Sequence, residues 1–158
     1  MQNIILAVVG VVLTILAGLA IAPSISNTQE KVKASKVVEE VTAVRNASLL
    51  WLVNDSVNGL FTGINAESTS GLVPDLTLSG TGATSTLGSR IFPGDVTYAL
   101  AVDGTNADQV QVTITLSGTA NTDEVKASIE NRIQNLPYTN ATAPTFGAGD
   151  SITINFRG

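Results

Sequence analysis

Apolar and polar positions divide this chain into three patterns. From Ile4 to Ala22 almost every position is aliphatic (IILAVVGVVLTILAGLAIA), and the first charged residue is Glu30. As a helix rising about 1.5 Å per residue, that run is about 28 Å long, close to the hydrocarbon thickness of a bilayer. A cylinder apolar on every side must lie in lipid or be buried by protein. Beyond it the pattern becomes amphipathic: Ala34, Val37, Val41, Val44, Ser48 and Trp51 recur at three- and four-residue steps, with Val38 and Leu52 beside them. Glu30, Lys31, Lys33, Lys36, Glu39, Glu40 and Arg45 are assigned to the other surface, where Lys36 and Glu40 are spaced to pair. Pro23 removes one backbone donor and predicts a kink or a local opening, and Asn58-Gly59 is the expected stop. The whole helical region then runs to about 55 residues, on the order of 80 Å.

The third pattern predicts a small mixed head. Thr62–Ser89 is rich in Gly, Ser and Thr, with Gly71–Leu78 (GLVPDLTL) as one short ordered piece. Val96, Tyr98, Leu100 and Val102 then alternate with Thr97, Ala99 and Ala101. After Asp103-Gly104-Thr105-Asn106, Val110, Val112, Ile114 and Leu116 alternate with Gln109, Gln111, Thr113 and Thr115. Period-two patterning on both sides of an Asx/Gly turn predicts an antiparallel hairpin with one buried face, which the amphipathic half of the long helix is suited to cover. A second helix is expected at Asp123–Asn135, capped by Asn121 or Thr122, with acids in its first turn and Val125, Ile129, Ile133 and Leu136 as its stripe. Pro137 ends it. A last strand, Ser151–Phe156, puts Ile152, Ile154 and Phe156 on one face. The predicted fold is α+β, a long amino-terminal helical spine (1–60) carrying a small antiparallel β-sheet head (61–158). Within the spine, 1–23 is the apolar segment, expected in a membrane or buried by protein, and 24–60 the amphipathic half.

Three readings of the apolar run compete. Ala20-Ile21-Ala22 has the small-x-small form of a signal-peptide cleavage site. Against it, Met1, Gln2 and Asn3 carry no Lys or Arg, and cleavage would place Pro23 at the new terminus. The second reading is a single-pass membrane anchor. The third is a helix that starts in a membrane and ends among copies of itself. Gly10, Thr14, Gly18 and Ala22 fall four apart on one face, a spacing that lets backbones approach closely in an apolar medium.

Composition narrows the chemistry. The chain has no His and no Cys, which removes the commonest general bases, nucleophiles and soft-metal ligands. No catalytic residue, cofactor site or metal site is assigned. Asp103-Gly104-Thr105-Asn106-Ala107-Asp108 gathers oxygen ligands of the kind Ca²⁺ takes, but its spacing departs from an EF-hand and its composition is that of a hairpin turn. Asn46, Asn54 and Asn140 each open an Asn-x-Ser/Thr triplet; the first two lie on the expected helix, leaving Asn140, in a loop, as the acceptor to consider. A net charge of −5 with 8 basic residues argues against a phosphate-binding surface, so no nucleic-acid partner is expected.

The apolar helix with Gly18 and Pro23, its amphipathic continuation through Trp51, and the stretches Gly71-Leu72-Val73-Pro74 and Leu87–Val96 (LGSRIFPGDV) together resemble a type IV pilin, the type IVb branch more than the type IVa branch. The resemblance covers the whole length in architecture. It implies an inner-membrane precursor, anchored there before assembly, that assembly machinery polymerises into a helical filament of identical copies on the cell surface. It implies polymerisation through Ile4, Ile5, Val8, Gly10, Val11, Thr14, Ile15, Gly18, Ala22 and Pro23, and anchoring of the head by Val37, Val41, Val44, Trp51 and Leu52. Two features depart from that family. Most pilins have a glutamate near the mature amino terminus, where this chain has Ile4 and Ile5, and many staple the carboxy-terminal loop with a disulfide, which a chain without Cys cannot form. In addition, the basic run Lys31, Lys33 and Lys36 after the apolar segment favours a cytoplasmic head, opposite to a pilin. The expected function is the major structural subunit of such a filament. The alternatives are a minor pilin or secretion-system pseudopilin and, from another class, a membrane-anchored binding module.

Overall fold

The computed structural model describes residues 28–158 with their side chains. The first helix, α1, is Gln2–Asn54. The sequence expectations that fall on residues 1–27, including the Gly10–Thr14–Gly18 face and the Pro23 kink, lie outside the described residues. Helix α1 stops at Asn54, short of the expected Asn58-Gly59. Those two residues instead form a left-handed turn, with φ of 67° at each. The Asp55 N–H still reaches the Trp51 carbonyl at 2.8 Å, so the last turn closes before the chain reverses.

The head is a five-stranded antiparallel meander in the order β1-β2-β3-β4-β5, formed by β1 (Leu76–Ser79), β2 (Thr86–Ser89), β3 (Val96–Val102), β4 (Gln109–Leu116) and β5 (Ser151–Arg157). The predicted hairpin is β3–β4, in register from Val96↔Leu116 to Val102↔Val110. The Asp103 carboxylate shapes its turn: Oδ1 accepts from the Thr105 N–H at 2.7 Å and the Asn106 N–H at 3.3 Å. Because alternate side chains share a face, the register stacks apolar residues into rows across the strands. Tyr98, Ile114 and Ile152 make one row, and Leu100, Val112 and Ile154 the next. All six are buried. The other face carries hydroxyls, with Thr113 paired to Thr153 at 3.0 Å and Thr115 to Ser151 at 2.8 Å.

The Gly/Ser/Thr-rich stretch holds more structure than its composition suggested. A short helix α2 (Ala66–Thr69) and a 3₁₀ turn precede β1, and β2 follows it. Asn65 caps α2, accepting from the Ser68 N–H at 2.9 Å. The expected ordered piece Gly71–Leu78 overlaps the 3₁₀ turn and β1, whereas β2, at four residues, is too short to be seen from periodicity alone.

Helix α3 is Asp123–Ile133, capped by Thr122, whose side chain accepts from the Val125 N–H. It ends two residues before the expected Asn135, and the Leu136 N–H closes a last turn onto the Ile133 carbonyl at 2.8 Å. Its buried stripe is Val125, Ile129 and Ile133, and it packs alongside α1. The core therefore lies between one sheet face and the two helices. Burying a Val, Leu, Ile or Phe side chain is worth roughly 1.5–3 kcal/mol, so this layer holds the head together without a disulfide.

Candidate functional site

The seam between α1 and the sheet is the part of the described structure on which the sequence placed functional residues. Val37, Val41 and Val44 are buried there, while Trp51 and Leu52 are half-buried. Ala34, Ala47 and Ser48 complete the buried stripe, and the Ser48 hydroxyl satisfies itself on the Val44 carbonyl at 2.9 Å. At the start of the described helix cover is thinner: Thr28, Gln29 and Lys31 are exposed and Val32 is 54% exposed, while Glu30 and Lys33 are half-buried. The positions assigned to polymerisation, Ile4 to Pro23, lie outside the described residues.

Glu40 corrects the sequence reading. Its charge assigns it to the solvated surface of the helix, yet it is only 8% exposed and points into the seam. Its Oε1 accepts from Ser89 Oγ of β2 at 2.8 Å, and its Oε2 accepts from the Tyr98 hydroxyl of β3. The spacing of Val37, Glu40 and Val44, three and then four, puts Glu40 on the buried face. The spacing carries that signal in the sequence, and the charge of the residue runs against it. Lys36 does not pair with Glu40; it pairs with Glu39 at 2.8 Å, one position closer and on the wet side.

The electrostatics of the seam follow from burial. Desolvation pushes the Glu40 carboxyl above the usual range. The two donors pull it back, and the nearby carboxylates Asp75 and Glu39 push it up again. Tyr98 is driven well above the usual phenol range by burial first, then by the Glu40 charge and their hydrogen bond. On the same helix the Arg45 guanidinium lies 5.6 Å from the Phe156 ring centroid, within cation–π range, and its buried Nε has no hydrogen-bond partner.

Shallow grooves flank α1. One is lined by Thr28, Gln29, Val32, Lys33 and Phe92, and another by Ala43, Asn46, Ala47, Leu50, Leu72 and Pro74. Val53 (80% exposed) and Val57 (78%) stand out from the end of the helix and the turn after it.

The remaining sequence candidates are held in structural roles. In the Asp103–Asp108 loop, Asp103 Oδ2 accepts from Asn155 Nδ2 at 2.6 Å, and Asp108 pairs with Arg157 at 3.0 Å. Among the described residues no group of three or more His, Cys, Asp or Glu is placed to hold a metal ion. The Asn140 side chain is engaged rather than free: Nδ2 donates to the Thr153 carbonyl at 3.2 Å and Oδ1 accepts from the Asn155 N–H at 2.8 Å. Among the described residues no helix is long and apolar enough to cross a membrane, and Ile4–Ala22 falls outside that statement. Comparison with protein-family models, with curated proteins and with solved structures finds no match to this chain.

Proposed function

We propose that this chain is a structural subunit, the major pilin, of a type IV pilus-like filament. The observation that carries the reading is the uncharged aliphatic run Ile4–Ala22 ahead of a sparsely covered stretch of helix. Thr28, Gln29, Lys31 and Val32 are exposed, Glu30 and Lys33 are half-buried, and among the described residues Ala34 is the first buried one. An apolar helix of that length needs lipid or protein around it on every side. Copies of the same helix meet that need once the subunit leaves a membrane, and the Gly10, Thr14 and Gly18 row gives them a close-packing face. In this reading the hydroxyl-rich face of the sheet and the Thr- and Ser-rich loops form the wet exterior. Partners are further copies of the chain, with the membrane and the inner-membrane assembly machinery before polymerisation.

The test is to shear cells, pellet the released material, and image it by cryo-electron microscopy while sequencing the amino terminus of the major band. The expected result is fibres built from this chain, with α1 helices bundled along the axis and heads outside. If the chain stays in the membrane fraction and no fibre contains it, the filament reading fails and a membrane-anchored head takes its place.

A further inference from the structure

The α1 stripe holds the head by apolar contact, which is poor at fixing register. Val37, Val41, Val44 and Ser48 repeat at three- and four-residue steps, so a shift of one helical turn replaces each small side chain with another of similar size. Glu40 breaks that degeneracy. Its two hydrogen bonds reach Ser89 and Tyr98, 49 and 58 residues away in sequence, on adjacent strands. Ser89 is itself fixed, since its hydroxyl accepts from the Phe92 N–H at 3.1 Å.

The Lys36 charge reaches Glu40 only without contact, because its ammonium is paired with Glu39. Arg45, also on α1, lies over Phe156. Asp75, in the turn before β1, is a like charge engaged with Arg90 at 3.6 Å. The strands contribute only the hydroxyls of Ser89 and Tyr98. Among the described residues no cation lies within ion-pair distance of Glu40. An ionised carboxylate in that seam is thus desolvated and faced by other carboxylates, whereas a neutral acid keeps both contacts. Its own O–H then donates in one of them, and the hydroxyl that accepts it turns its own proton away from Glu40, at a cost that the relief of desolvation must exceed.

We infer that Glu40 is a protonation-controlled latch between the spine helix and the sheet. The neutral acid seats α1 on β2 and β3 in one register, and ionisation loosens that seat. The sign follows from linkage. A carboxyl titrating higher in the folded state contributes stability that is fully present below its unfolded value, near 4.5, and is lost as pH rises through the folded value. Each pH unit separating the two values changes the folded-to-unfolded ratio tenfold. The latch stands on the geometry of the head and does not depend on the filament reading.

The experiment uses the full chain in detergent micelles, with urea unfolding followed by Trp51 fluorescence from about pH 4 to about pH 9. The wild-type midpoint should fall across this range. Glu40→Gln keeps the shape and the contacts but cannot ionise, so its midpoint should stay level over the range in which the wild type declines. Tyr98→Phe removes a donor that favours the ionised form, so its decline should move to higher pH. Carboxyl ¹³C NMR of the wild type gives a reading that needs no variant to fold: Glu40 should titrate above the usual glutamate range. Parallel pH profiles for wild type and Glu40→Gln, or an ordinary titration of the Glu40 carboxyl, would overturn the latch.

Discussion

The outer edge of β5 makes a sharp test of how this head ends its sheet. An open edge strand invites pairing with other chains. Here the segment after α3 covers it: the Thr139 N–H donates to the Asn155 carbonyl at 2.8 Å and the Gly147 N–H to the Ser151 carbonyl at 3.0 Å. Between them the Asn140 carboxamide bridges the Thr153 carbonyl and the Asn155 N–H. One residue of a parallel neighbouring strand would contact the same two groups, so the side chain stands in for a strand. Asn140→Ala removes both bonds and bares two backbone groups of a half-buried edge. At about 0.5–1.5 kcal/mol net per bond, the expected loss is about 1–3 kcal/mol. For a domain of this size that corresponds to a fall in Tm of roughly 5–15 °C. Asn140→Asp should be no better: it keeps the acceptor but sets a negative oxygen against the Thr153 carbonyl. Differential scanning calorimetry gives the Tm, and hydrogen exchange at the Asn155 amide reports the site directly. An unchanged Tm together with slow Asn155 exchange in Asn140→Ala would refute the strand-mimic argument.

Two further outcomes follow from local geometry. Gly118 has φ +50°, and a Cβ there would lie 2.2 Å from Asp95 Oδ1, so Gly118→Ala must strain the backbone and displace Asp95 from Thr119. The left-handed conformation alone costs about 1–2 kcal/mol, and the urea midpoint should fall accordingly. Asp150 is held below the usual carboxylate range by its hydrogen bonds, first from Lys126 at 2.6 Å and then from Asn121 at 2.7 Å. A depressed carboxyl contributes stability present above its unfolded value, near 3.8, and lost as pH falls through the folded value. Lys126→Met should therefore be modestly less stable than wild type at neutral pH, with the two thermal-melt curves converging below about pH 3.8.

What was legible in the sequence was whatever repeats. The alternation at Val96–Val102 and Val110–Leu116, the stripe Val125–Ile129–Ile133 and the anchoring valines of α1 announced their own geometry, since each buries one face of a regular element. What escaped was short or polar. Strands β1 and β2 have four residues each and are recognisable through pairing, β1 with β2 and β2 with β3. Asn140 looked like a loop acceptor because nothing local says that its amide will meet β5. Glu40 looked like a surface charge because charge is normally solvated, and its spacing alone did not outweigh that expectation.

The sequence by itself therefore determined the material of the chain: an uncharged aliphatic run, an amphipathic continuation, and a head of alternating strands with one amphipathic helix and no cysteine. Local periodicity is enough for that, because burial of a face acts on neighbouring residues. Only the tertiary structure decided which polar groups are drawn inside. Glu40 meets Ser89 and Tyr98, and Asn140 meets Thr153 and Asn155, across gaps that no local pattern spans. Such contacts depend on two elements arriving at the same place. A buried polar group is settled by the partner that satisfies it, and that partner comes from the fold.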